Sequence, residues 1–316
     1  MKVKNNLFVY IIICFSISCV ENKHEDKFTN EARGKGFIKI AVEESYQPLM
    51  TEAIKTFNGL FPEATIEATY TTENECVNLL LKDSVRLVIM SRKLTEAEKK
   101  VIENQKNSAR ENEIAIDAIA VINHKNNACN KLTMNQLIDI AKGKISRWSQ
   151  LNKSNTQNDS IIIVLDNKAS GIAHYLIDSL LKNNKLPANL FATKSNKEVI
   201  EYVKNNDNAL GFIGLNWISD NEDTVANKFV QSIQVVGIAR KNNENYTLPF
   251  QYHLLRKEYP MMRTVYLVDR EGFNGLATKF LNFLVSQNGQ FLILKQELLP
   301  STLPKREVEL INEPIF

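Results

Sequence analysis

From Phe37 onward the chain alternates short apolar segments with amphipathic ones, and this alternation is what most constrains its fold. Phe37 to Val42 reads as a strand. Pro48 to Leu60 then sets Leu49, Ala53, Ile54, Phe57 and Leu60 on one helical face, and Pro62 closes that helix. Ala64 to Thr71 alternates Ile66, Ala68 and Tyr70 as a strand does. Thr72-Glu73-Asn74-Glu75 is a capping box opening a helix through Leu81. Val85 to Met90 is a continuous apolar run suited to a strand buried on both faces. Thr95 opens the next helix, and Ile114 to Asn123 is a long strand. The cycle repeats with a helix from Thr133 to Gly143, a strand at Ile161 to Leu165 and a helix from Gly171. A helix capped at Ser195 ends near Asn206, and a strand follows at Ala209 to Gly214. Val235 to Ile238 and Thr264 to Val268 are expected as strands, Asn274 to Ser286 and Gly289 to Leu299 as helices. Strand–helix alternation predicts an α/β fold with mainly parallel sheets and helices on both faces.

In such a fold, ligands bind beyond the carboxyl ends of the strands. Here those ends run into polar turns: Ser45-Tyr46, Thr71-Thr72, Ser91-Arg92 and Asn167 to Gly171. Each turn precedes a helix, whose first N–H groups and adjacent hydroxyls favour an anion. Taken singly, Ser45, Thr72 and Ser170 are also ordinary N-caps. Arg92 follows a buried strand directly and is the best single candidate for a ligand-binding cation. Trp148 and Trp217 read as core.

Composition removes several function classes. The formal charge of +3 falls to +1 once the two lysines of residues 1–18 are set aside, which argues against a nucleic-acid binder. No Gly-x-Ser-x-Gly elbow, His-Glu-x-x-His pair, phosphate loop or dinucleotide fingerprint occurs. His24, His124, His174 and His253 lack metal-ligand spacing and read as surface or packed residues. No cofactor, metal or enzymatic activity is expected. Cys76 and Cys129 are expected as two unpaired thiols, although an oxidising compartment permits a bridge.

Several segments together resemble the phosphate-binding proteins of ABC importers. Ser91-Arg92-Lys93-Leu94 resembles that family's Ser-Arg-x-Leu turn. Leu132-Thr133 with Gln136-Leu137, then Gly143-Lys144-Ile145-Ser146-Arg147-Trp148-Ser149-Gln150-Leu151, is similar to its L-T-x-x-Q-L and G-x-I-x-x-W-x-x-L. Asp117 to Asn123 looks like the strand leading into its second domain, and Ala209 to Gly214 resembles A-I-G-Y-x-G. The resemblance implies a two-lobed periplasmic-binding-protein-like fold (type II) with the ligand in a cleft between lobes. Lobe one would be residues 37–113 plus 248–316, and lobe two residues 114–247. It further implies a ligand set for one oxyanion: Ser45, Tyr46, Thr72, Ser91, Arg92, Asp166, Ser170 and Gly171. Asp166 stands where the family motif R-x-x-x-S-G-T has arginine, and Ile172 where it has threonine. Asp166 would accept the proton that phosphate carries and sulfate lacks; otherwise it caps its own turn. The implied function is capture of inorganic phosphate or a similar oxyanion by a monomer and delivery to an ABC importer permease. The alternative is a non-transport surface or signalling protein keeping the fold with a degraded anion site. A secreted hydrolase is a third class, which no motif favours.

The N-terminus supplies the expected location. Lys2 and Lys4 precede an apolar run from Leu7 to Ile17, too short to span a bilayer comfortably and suited to a secretory signal. Ser18-Cys19 resembles the lipobox of bacterial lipoproteins, with Ser16 in place of the usual leucine. That implies a signal peptide over 1–18, lipidation of Cys19 and a polar tether over 19–36. The body would then work outside the cytoplasm, held to a membrane by its lipid anchor.

Overall fold

The computed structural model describes residues 27–151, 160–182, 185–218, 233–242 and 244–302. The expected signal peptide and Cys19 lie outside the described residues. After a short helix α1 (Lys27–Ala32), the chain runs β1 (Gly36–Glu43), α2 (Gln47–Leu60), β2 (Ala64–Thr71), α3 (Glu73–Leu81), β3 (Leu87–Met90) and α4 (Glu96–Asn104). A 15-residue strand, β4 (Arg110–His124), leads to β5 (Lys131–Thr133), α5 (Met134–Ala141), β6 (Ile162–Leu165) and α6 (Gly171–Tyr175). Then come β7 (Leu190–Ala192), α7 (Asn196–Asn205), β8 (Ala209–Gly214), β9 (Ile233–Val235) and β10 (Gly237–Ala239). The chain returns through α8 (Gln251–Leu255), β11 (Met262–Asp269), α9 (Leu276–Val285), α10 (Gln287–Lys295) and β12 (Leu299–Pro300).

The main sheet has the order β2-β1-β3-β11-β4-β8-β6-β7, with β9 and β12 also on β4. Parallel pairing holds within each end, β1 with β2 and β3, and β6 with β7 and β8. The two long strands at the centre, β4 and β11, run antiparallel to each other and to their neighbours β8 and β3. The first half of β4 pairs with β11 and the second half with β8, so this one strand joins both ends of the sheet. This is the two-lobed α/β arrangement, with the chain crossing outward in β4 and back before β11.

Local sequence explains the elements. All four residues of β3 are buried, as expected for a continuous apolar strand between two neighbours. The outermost β2 instead alternates, burying Ala64 and Ile66 and exposing Thr65 and Glu67. Thr95 and Thr133 close full capping boxes on α4 and α5, satisfying otherwise orphaned N–H groups. Helix α2 buries Leu49, Met50, Ala53 and Phe57. The Phe57 ring meets Phe61, Phe280 and Phe283 at centroid distances of 4.8, 5.3 and 5.7 Å, which fastens α2 to α9.

Two expected elements come out differently. The strand expected over Val235 to Ile238 is divided at Val236, because β9 pairs with β4 whereas β10 pairs with β5 in a separate sheet. The last expected helix ends at Lys295, and Leu299–Pro300 instead pairs with β4. The positive φ of Glu297, 59°, turns the chain between them. Cys76 and Cys129 are free, buried thiols.

Candidate functional site

The polar turns at the strand ends gather around a buried centre that no single turn supplies. Strand β1 ends in Glu43, and the next three residues form a 3-10 turn in which Ser45 and Tyr46 are fully buried. The Trp217 indole N–H donates to the Ser45 carbonyl at 3.1 Å, so this tryptophan, expected as plain core, holds the first turn. The Thr72 hydroxyl accepts from the Glu75 N–H and serves as the cap of α3. The next residue, Glu73, is buried and reaches the centre.

Ser91 ties the turns together. Its N–H donates to Glu43 Oε2 at 3.0 Å. Its hydroxyl lies 2.9 Å from Glu43 Oε2 and 2.8 Å from Glu73 Oε2, with one proton to share between them. Arg92 is committed elsewhere. It grips Glu98 through Nη1 and Nη2 at 2.8 and 2.9 Å and meets Glu73 through Nε at 3.1 Å. The cation at the centre is Arg263, from β11. Its Nε donates to Asp117 Oδ2 at 2.8 Å and its Nη1 to Glu43 Oε1 at 3.0 Å. Arg263 and Asp117 face each other directly in the β11–β4 register, a cross-strand ion pair. The guanidinium also stacks over Tyr46, 5.1 Å from the ring centroid.

The other end of the sheet closes against these residues. Asp166 is buried and accepts the Ser170 hydroxyl proton at 2.6 Å, while Ser170 Oγ caps α6 through the Ala173 N–H. A Cβ on Gly171 would overlap Ser91 Oγ and fall 2.5 Å from Glu43 Oε1, so only glycine permits this approach. His174, which the sequence pattern marks as a surface or packed residue, places Nδ1 2.6 Å from Glu73 Oε1. Asn196 at the start of α7 donates its N–H and Nδ2 to Glu44. Its Oδ1 accepts from the Gly214 N–H at 2.9 Å.

Ser45, Tyr46, Ser91, Asp166, Ser170 and Gly171 thus line or brace one centre. Arg92 joins it only through Glu73, and the Thr72 hydroxyl faces its own helix. The residues missing from the sequence reading are Glu43, Glu44, Glu73, Asp117, His174, Asn196, Asn216 and Arg263. Two of these leave a trace in sequence: Asp117 and Arg263 are charged residues set beside apolar stretches of β4 and β11.

The electrostatics are crowded. Burial pushes the Glu43 carboxyl up to about 7 despite the opposing charge of Arg263. Burial likewise pushes Glu44 up to about 7, against hydrogen bonds from Asn196. Burial also raises Asp117 and Asp166. Glu73 differs: burial opposes its charge, but His174, Ser91 and Arg92 together hold it below the ordinary value. Its hydrogen bond raises His174 in turn. Against these carboxylates stand buried groups with unspent hydrogen-bonding capacity. Ser45 Oγ, Tyr46 Oη, Asn216 Nδ2 and Arg263 Nη2 have no hydrogen-bond partner among the described residues. Asn216 Oδ1 and Arg263 Nη2 come within 3.3 and 3.5 Å of a Cβ position on Gly214, as does the Ser45 carbonyl at 3.3 Å. Of the atoms in front of Gly214, the Asn216 and Ser45 oxygens are acceptors and Arg263 Nη2 is the donor, a buried guanidinium N–H that can meet a small oxyanion.

Residues 29–288 match the family model described as a PBP superfamily domain. The chain is 24% identical over 303 residues to the phosphate-binding protein PstS of Borreliella burgdorferi, covering 92% of this chain and 97% of that protein. It is 23% identical over 276 residues to PstS of Pseudomonas aeruginosa, covering 83% and 81%. Its fold is similar to that of a Clostridium perfringens phosphate ABC transporter substrate-binding protein solved with bound phosphate. That match has a TM-score of 0.71 and 24% identity, and covers 84% of this chain and all of the other. A Vibrio cholerae ABC-type phosphate transport receptor matches with a TM-score of 0.62 and 19% identity, over 84% of this chain and 100% of that one.

Proposed function

Because the chain belongs to the PBP superfamily, we propose that it captures inorganic phosphate or a related oxyanion between its lobes for delivery to an ABC importer permease. The observation that carries this reading is the buried Arg263 Nη2, which has no hydrogen-bond partner among the described residues and lies by the Tyr46 ring and the Ser45 turn, where the Ser45 and Tyr46 hydroxyls are likewise unpartnered. Arg263 supplies, from β11, the positive charge that is missing where Asp166 stands. The fold similarity to phosphate-binding proteins supports the same reading. The role is binding and transfer to a membrane partner, without chemistry on the ligand.

The lobe limits belong to this proposal: residues 37–113 with 248–316, and residues 114–247. So does anchoring of a monomer through lipid on Cys19, on the outer side of a membrane. Binding is tested by calorimetric titration of the full chain in detergent with phosphate and with sulfate, after removal of bound phosphate. Saturable one-to-one phosphate binding is expected. Lack of any phosphate heat would overturn the reading in favour of a signalling or scaffold protein. The five buried or nearly buried carboxylates of the centre, Glu43, Glu44, Glu73, Asp117 and Asp166, are the observation that favours that second reading.

A further inference from the structure

Glu43 holds donors that an oxyanion would otherwise receive. Its Oε2 takes the Ser91 N–H and faces the Ser91 hydroxyl, and its Oε1 takes Arg263 Nη1. The same Oε1 lies against Gly171, beside the Ser170–Gly171 turn. One guanidinium is thus divided. Nε and Nη1 are spent on Asp117 and Glu43, while Nη2 faces Asn216 and Gly214. An anion that reaches Nη2 comes close to a buried carboxylate on the neighbouring nitrogen, where like charges repel strongly.

We propose that Glu43 is an internal competitor for the oxyanion, and that the ligand binds with uptake of one solvent proton by this carboxylate. This rests on the oxyanion reading of the site and adds the residue that sets its affinity and pH dependence. The protonated carboxyl can donate to Ser91 Oγ, which then donates to Glu73 Oε2, so the proton enters an existing hydrogen-bond chain. The groups around Glu43 are Arg263 on β11, Asp117 on β4, Glu73 and Cys76 on α3, and Asp166 after β6. Glu44 and Tyr46 flank it on its own turn, and Arg92 and His174 stand behind Glu73. Burial of Glu43, with its carboxyl near 7, places the competition within the physiological range.

The test is calorimetric titration of the full chain and of Glu43→Gln with inorganic phosphate at pH 6 and pH 8. Phosphate's own ionisation is common to both proteins, so their affinity ratio isolates position 43. At pH 8 Glu43→Gln is expected to bind about tenfold more tightly, and at pH 6 within about twofold of the natural chain. Phosphate binding by Glu43→Gln alone also supports the proposal. Equal affinities at both pH values, or weaker binding by the folded variant, would overturn it while leaving the oxyanion reading intact. If neither protein binds phosphate, both readings fall. Should Glu43→Gln not fold, the natural chain gives the answer in two buffers of different ionisation enthalpy at pH 7.5. Proton uptake beyond that of phosphate itself is expected, and none would overturn the proposal.

Discussion

A methyl group at position 171 would overlap Ser91 Oγ and press on Glu43, both of which are hydrogen-bonded in place. Gly171→Ala is therefore expected to cost about 1–3 kcal/mol, read by urea unfolding, and to weaken phosphate binding as well. Ser45 makes the opposite case, since its buried hydroxyl has no partner among the described residues to lose. Ser45→Ala should leave stability nearly unchanged but weaken phosphate binding about 10- to 100-fold by calorimetry, the worth of a hydrogen bond to a charged group. At Asp166, the buried carboxyl already receives the Ser170 proton on one oxygen. Asp166→Asn is expected to narrow the preference for phosphate over sulfate, measured as the ratio of the two affinities. An unchanged ratio would leave Asp166 as a brace for the Ser170 turn. Ser45, Ser91 and Ser170 stood out in sequence because each lies in a polar turn that follows a strand and leads to a helix. Glu43 was not, since an acid closing an apolar strand looks the same whether it meets water or a buried arginine.

Among the elements, α2 and α9 are joined by the Phe57 cluster, and Phe57→Ala is expected to cost about 3–5 kcal/mol in urea unfolding. Helices α3 and α6 are joined across the site by Glu73 and His174. The folded protein holds Glu43 and Glu44 protonated up to about pH 7, against an ordinary value of 4.5, and raises His174 above 6.5. The folded state thus binds more protons than the unfolded chain across this window. These groups stabilise fully at acid pH, and their contribution fades as pH rises through 7. Glu73, held below 4.5, acts only further to the acid side. Melting temperature should fall between pH 5.5 and pH 8.5, with a shallower slope in His174→Gln. The helix starts were readable because Thr95 and Thr133 carry their capping partners three residues on. The division of β9 from β10 was not, because pairing partners are set by the fold and leave no mark within a four-residue run.

At the scale of the whole molecule, the strand–helix alternation identified the α/β class because burial on both faces and on one face leave different periodicities. It did not convey that the central strands run antiparallel, since direction depends on how β4 and β11 cross between the ends of the sheet. The centre of the site was hidden for the same reason: Arg263 reaches Glu43 across 220 residues of sequence. That placement has a mechanical consequence. Asp117 belongs to β4, the strand that joins both ends of the sheet, and Arg263 pairs with it from β11, so on the two-lobe reading they lie near the pivot and barely travel as the lobes swing. The ligand's cationic anchor would then be a fixed post, present at full strength in the open molecule. Residues farther from the axis, such as Gly171 and Asn196, would sweep in afterwards and act as the latch.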